Sequence, residues 1–162
     1  KQSCESIIED YQKAFGINFT ILRYSSLYGP RSDEKNWIYN ILKQALTTKK
    51  IVRDVDGEEI REYIHVCDAA RISIEALDEQ YANQYVIISG NQPIKIKDLL
   101  MMIKEMLNNK IGIEYAAPRI DDHYEITPYS YNPKIARKIF SNSYYDLGQG
   151  LLDMLDKIDK KT

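Results

Sequence analysis

Tyr85-Val-Ile-Ile-Ser89, closed by Gly90, is the most strand-like run of the chain. Aromatic and β-branched residues suit a pleated, buried surface, and glycine punctuates its end. A second short apolar run, Phe19-Thr-Ile-Leu22, reads the same way. Between the two, the apolar spacing turns helical twice. Ile38, Ile41, Leu42, Ala45 and Leu46 mark one helix; Ala69, Ile72, Ala76 and Leu77 mark another, with Asp68 placed as its N-cap. Strands joined by crossovers of this length lie parallel in one sheet. The pattern therefore predicts an α/β chain in which residues 19–22 and 85–89 are parallel strands of the same sheet.

Upstream, Cys4, Ile7, Ile8, Tyr11, Ala14 and Phe15 recur at helical spacing, and Gly16 stands where a helix C-terminus favours glycine. Tyr28-Gly-Pro-Arg31 reads as a turn or loop. Asp56-Gly57 is a turn signal between strand-like residues 51–55 and 62–66. Downstream, Leu99, Leu100, Ile103, Met106 and Leu107 predict a helix, and residues 113–116 a short strand. Asn132-Pro133 is a good helix start, followed by Ile135, Ala136, Ile139 and Phe140. A last helix carries Leu147, Leu151, Leu155 and Ile158. Residues 110–131, rich in Tyr, Asp and Pro, read as an irregular, substrate-facing loop.

At 162 residues the chain is long enough for one domain with a real core. A net charge of −2 offers no electrostatic footprint for nucleic acid, and no apolar run reaches the roughly 20 residues of a membrane span. Cys4 and Cys67 have no metal-ligand spacing and read as reduced, buried thiols of a cytoplasmic protein. The chain opens on Lys1 inside a helical pattern without an N-cap, and two strands do not make a stable sheet. A fragment of a longer protein is the expectation, with the rest of the sheet outside it.

Arg23, Arg31, Arg61 and Arg119 sit at element edges. A guanidinium fork matches phosphate oxygens, and two from separate loops could hold a pyrophosphate; surface or ion-paired roles stay open for each. His65, in a strand-like run, reads as structural rather than catalytic, and with only two histidines an ordinary zinc site is not expected. No Gly-x-Gly-x-x-Gly or Walker loop is present, so a dinucleotide cradle lies outside this segment.

Four runs, in order, resemble the back half of extended short-chain dehydrogenases/reductases. They are Lys1-Gln-Ser-Cys-Glu5 leading to Leu22-Arg-Tyr-Ser-Ser-Leu-Tyr-Gly-Pro-Arg31, then Gly57-Glu-Glu-Ile-Arg-Glu-Tyr-Ile-His-Val-Cys-Asp-Ala-Ala70, then Tyr85-Val-Ile-Ile-Ser-Gly90, and Asn132-Pro-Lys-Ile-Ala136. The second, close to the sugar-nucleotide epimerase run Gly-x-x-x-Arg-Asp-Tyr-Ile-His-Val-x-Asp-x-Ala, is the specific one. The resemblance implies the C-terminal part of a Rossmann-like fold: a few parallel strands and a small substrate-binding subdomain over residues 1–162. It implies an NAD-dependent (or NADP-dependent) epimerase or dehydratase acting on a nucleotide-diphosphate sugar, a homodimer when complete, and no turnover by this segment alone. A non-catalytic member sensing a dinucleotide or sugar nucleotide, and a reductase of small carbonyl compounds, are the other readings.

By the same resemblance, Lys1 matches the lysine of Tyr-x-x-x-Lys, which bonds the nicotinamide ribose and favours the tyrosinate base. Tyr24 and Ser25 match positions whose backbone lies beside the nicotinamide. Ser26 stands where many members place a substrate-contacting Asn. Asn36 matches an Asn at the substrate's diphosphate, and Arg61 the arginine on its phosphates. Arg119 matches a second such arginine and Asp122 a carboxylate on the nucleotide's ribose, although Arg119-Ile-Asp-Asp122 lacks the glycine of the usual Arg-x-Gly-Asp.

Overall fold

The computed structural model describes residues 2–53, 56–115 and 136–160. Helix α1 (Gln2–Phe15) ends at Gly16, whose φ of +67° turns the chain while its N–H returns to the Gln12 carbonyl at 2.8 Å. Strand β1 (Thr20–Tyr24) follows, then β2 (Ser26–Tyr28), α2 (Trp37–Thr48), β3 (Lys50–Arg53) and β4 (Ile60–His65). Helix α3 (Val66–Glu75), β5 (Gln84–Ile88), β6 (Pro93–Lys95), α4 (Ile96–Met106), β7 (Gly112–Tyr115), β8 (Arg137–Lys138) and α5 (Leu147–Asp159) complete the chain.

β1 and β5 pair in parallel, Leu22 opposite Val86, as the crossover argument requires. β8 extends this sheet beyond β5, also in parallel. The chain then changes sheet at a single residue: the Ser25 N–H still bonds the Ile88 carbonyl at 2.9 Å, yet Ser26 already pairs with Tyr63 of β4. β2 and β4 are parallel and β6 is antiparallel to β4; β3 and β7 form a separate parallel pair. Two apolar clusters support these sheets. Ile72 of α3 packs with Val86, Ile88 and Ile64 over one. The other joins α2, α4 and α5 through Ile38, Leu42, Leu99, Ile103, Leu151 and Met154, with Ile51 beneath.

Five features of the fold differ from what the sequence pattern suggests. Asp68 is not the α3 cap: β4 runs straight into the helix, so His65 caps it, its Nδ1 accepting from Cys67 N at 3.3 Å. Asp68 is buried in the first turn instead, accepting from Arg71 and from Tyr145 N–H, both at 2.7 Å. Arg137 and Lys138 are strand, not helix, because the free edge of β5 satisfies their backbone groups, and Ile139 N–H continues onto the Ile87 carbonyl at 3.2 Å. Asn132 and Pro133 lie outside the described residues. The apolar stripe of α1 faces outward, Tyr11 and Phe15 being 58% and 68% exposed, because Glu5 and Glu9 on the other face bond the sheet. Cys4 and Cys67 are free but exposed rather than buried; Cys4 lies on the outer side of α1 and Cys67 at the solvent edge of the first turn of α3. Leu77, expected inward on α3, falls beyond its end and is exposed.

Candidate functional site

A cavity of about 450 Å³ opens between the start of β2, the N-terminus of α2, and the strands β3 and β4. Ser26, Asn36 and Arg61, far apart in sequence, all line it. Asn36 is there because it caps α2: its Oδ1 accepts from Tyr39 N–H at 3.1 Å and its Nδ2 donates to the Leu27 carbonyl at 2.7 Å. That second bond ties the helix start to β2 and aligns one wall. Arg61 is half-buried on β4, and one of its terminal nitrogens donates to the Ile60 carbonyl at 3.2 Å. The β4–β6 pairing, Arg61 opposite Ile94, fixes its register.

The cavity also contains residues that sequence reasoning missed: Lys35, Trp37, Arg53, Glu59 and Tyr63. Trp37 and Tyr63 stack, ring centres 6.2 Å apart and planes within 18°. The Arg53 guanidinium lies 5.1 Å from the Trp37 ring and pairs with the Glu59 carboxylate. Burial pushes the Tyr63 hydroxyl above the ordinary tyrosine range, so it is a neutral wall group. The chain's single Trp beside Asn36 was the available signal; the fold of Arg53 onto it was not readable from spacing. Three cations (Lys35, Arg53, Arg61) face one carboxylate (Glu59), so the lining carries net positive charge suited to a polyanionic ligand.

Tyr24 and Ser25 do not line this cavity. They lie at the carboxyl end of β1, where Tyr24 Oη shares a 2.6 Å hydrogen bond with Ser73 Oγ of α3. With its side chain turned to the helix, Tyr24 can offer only backbone to a ligand. The Ser25 hydroxyl is buried without a hydrogen-bond partner among the described residues. Ligands of open α/β sheets bind at the carboxyl ends of parallel strands, so this orphaned hydroxyl at the ends of β1 and β5 fits a dinucleotide's edge. Lys1, Arg119 and Asp122 lie outside the described residues.

His65 belongs to a second, smaller cavity of about 140 Å³, shared with Tyr28, Asp68, Asn91 and Tyr145. It stacks on Tyr145 at 4.1 Å and meets Tyr28 edge-on at 5.3 Å. Because Nδ1 accepts from a backbone N–H, the neutral ring is assigned its proton on Nε2. Burial, partly offset by Asp68 and Asp153, lowers its pKa below the ordinary histidine value. The ring caps α3 and packs against two tyrosines. No cluster of His, Cys, Asp and Glu that could hold a metal occurs among the described residues, and no described helix is long and apolar enough to cross a membrane.

The parallel β1–β5 pair and the one-residue change of sheet at Ser25, with the cationic cavity beside them, define a Rossmann-like α/β fold. Residues 1–88 match the NAD dependent epimerase/dehydratase family, and the chain belongs to that family. It is 27% identical over 138 residues to a UDP-glucose 4-epimerase of Corynebacterium glutamicum, covering 75% of this chain and 42% of that protein. With a UDP-glucuronate 4-epimerase of Thermodesulfobacterium geofontis it shares 24% identity over 115 residues, 71% of this chain and 36% of the relative. The chain thus spans less than half the length of these curated relatives. Its fold matches the UDP-glucuronic acid 4-epimerase of Bacillus cereus, crystallised with UDP-glucuronic acid and NAD. The TM-score is 0.81 at 22% identity, over all of this chain and 52% of that one. A UDP-N-acetylglucosamine 4-epimerase of Methanobrevibacter ruminantium matches at a TM-score of 0.80 and 20% identity, over 99% of this chain and 52% of that one.

Proposed function

We propose that this chain is the C-terminal, substrate-binding portion of an NAD-dependent enzyme that epimerises or dehydrates a nucleotide-diphosphate sugar. The observation that carries the reading is the cavity itself. It draws Ser26, Asn36 and Arg61 from three separate segments to one wall set and surrounds them with net positive charge. Arg61 grips the diphosphate through charge-assisted bonds. Asn36 holds the entrance of α2, where the first-turn N–H groups favour anions. Ser26, on β2, faces the sugar end. Bound NAD supplies the hydride chemistry. Tyr24 and Ser25 border the nicotinamide, Ser25 through its hydroxyl. Lys1 bonds the nicotinamide ribose and sustains a tyrosinate base, while Arg119 serves the phosphates and Asp122 the nucleotide's ribose. The chain holds no Gly-x-Gly-x-x-Gly run, so the dinucleotide-binding half lies outside it. The exposed apolar stripe of α1 supports a homodimer of the complete, cytoplasmic enzyme.

The test is calorimetry with UDP and with NAD on the full-length protein carrying Arg61→Ala and Arg61→Lys. Arg61→Ala is expected to lose about 2–3 kcal/mol of UDP binding, the worth of a buried charge-assisted bond. Arg61→Lys should recover only part of it, because an ammonium lacks the fork. NAD affinity should hardly move. Unchanged UDP affinity in Arg61→Ala would remove the cavity as the diphosphate site.

A further inference from the structure

We propose that Arg53 is a second phosphate-binding residue of the cavity, and that Glu59 tunes its affinity by competing with the ligand for the same guanidinium. The proposal rests on the diphosphate reading of the cavity. None of Arg23, Arg31 or Arg119 supplies a second fork among the described residues there: Arg23 is committed to Glu5, Arg31 does not line the cavity, and Arg119 lies outside the described residues. Arg53, the last residue of β3, does line it.

Among the described residues its donors are largely unspent. An arginine carries five N–H groups in a fixed plane. Among the described residues, one terminal nitrogen of Arg53 has a partner, the Glu59 carboxylate, and Nε is buried with none. The pair is mostly dry, the two side chains being 17% and 8% exposed. Removing both charges from water costs more than an isolated pair regains unless the remaining donors are also satisfied. A polyanion entering the cavity satisfies those that face it, and its charge offsets the excess of cations over Glu59.

The geometry is also set in advance. Trp37 supports the guanidinium from one side and is itself stacked on Tyr63. Glu59 is fixed from behind, since its carbonyl accepts from Ile96 N–H at 3.0 Å where α4 begins. The fork is therefore held flat beside the site with little rotamer freedom left to lose on binding. A carboxylate that occupies one edge of that fork lowers its attraction for phosphate, and its neutralisation raises it.

The experiment is calorimetry on the full-length protein with UDP and with uridine, which lacks phosphate. Arg53→Met is expected to weaken UDP binding by about tenfold or more, and Glu59→Gln to tighten it by about threefold or more, with uridine unchanged in both. If Arg53→Met fails to fold, the conservative Glu59→Gln decides, and no tightening overturns the proposal. UDP binding that depends on Arg61 yet stays within about twofold of the parent in both variants would leave Arg53–Glu59 a structural ion pair and refute the proposal. Indifference of UDP binding to Arg61→Ala would refute the diphosphate reading instead.

Discussion

Arg23 grips Glu5 at two points, Nε donating to Oε1 at 3.0 Å and a terminal nitrogen to Oε2 at 2.7 Å. The same guanidinium lies 4.7 Å from the centre of the Tyr85 ring, whose hydroxyl donates to Glu9 at 2.5 Å. One cation thus fastens α1 to both β1 and β5, in place of the apolar contact that the helix leaves outward.

Replacing Arg23 with Met should therefore cost about 1–3 kcal/mol at neutral pH. The Arg23 hydrogen bond holds the Glu5 carboxyl below its ordinary range. The unfolded chain consequently takes up that proton first, at about pH 4.3. The contribution is complete above that value and is lost as pH falls through the lower folded-state pKa. Urea denaturation of parent and variant at neutral pH and again in acid should show the difference shrinking; a gap independent of pH would show that Arg23 acts through its stacking on Tyr85 alone.

Two glycines differ in what they permit. A Cβ on Gly90 would lie 2.1 Å from the Tyr63 carbonyl oxygen, part of a paired strand that cannot yield. On Gly150 it would meet the Tyr28 ring at 2.7 Å, and a side chain can shift. Gly90→Ala should be the more destabilising, Gly150→Ala should cost about 1–3 kcal/mol, and Gly112→Ala, whose nearest neighbour is 3.9 Å away, should be nearly silent. Thermal denaturation ranks the three; a Gly112 variant worse than Gly90 would contradict the packing described.

His65 makes the fold acid-sensitive. Its pKa is lowered by burial, so the folded chain binds the proton less readily than the unfolded chain, whose histidine titrates at about 6.5. Stability is full above that value and declines as pH falls through it toward the folded-state pKa. NMR titration, with His65→Gln to assign the resonance, should give a midpoint below 6.5 and a proton on Nε2 at neutral pH. A midpoint above 6.5 would mean that Asp68 and Asp153 outweigh burial.

Asn36 has a structural and a ligand-facing duty that substitution can part. Asn36→Ala loses the cap and should cost about 1 kcal/mol or more of stability. Asn36→Asp keeps a capping oxygen but gives up the donor to Leu27 and adds a negative charge to the cavity. It should bind UDP more weakly than the stability loss explains. Calorimetry showing unchanged UDP affinity for Asn36→Asp would confine Asn36 to capping.

Much of the architecture was legible because it is local. The apolar runs at Phe19 and Tyr85, the helical spacing between them, and Gly16 at a helix end are consequences of side-chain periodicity and backbone freedom, and each appears where the spacing puts it. The Ser26, Asn36 and Arg61 set was legible only through resemblance, since no spacing rule brings residues 26, 36 and 61 together. Tertiary structure decided the rest. Arg137 and Lys138 sit in a run whose apolar spacing is helical, yet the open edge of β5 offered them a ladder that outweighs local preference. The stripe of Ile7, Tyr11 and Phe15 signalled a helix correctly but not its buried side, because Arg23 and Tyr85, distant in sequence, hold the opposite face through charge and hydrogen bonds. Arg53 and Glu59 lie close in sequence. Their place in the cavity wall depends on the packing of Trp37 and Tyr63 from α2 and β4, an arrangement set by long-range contacts rather than by any local pattern.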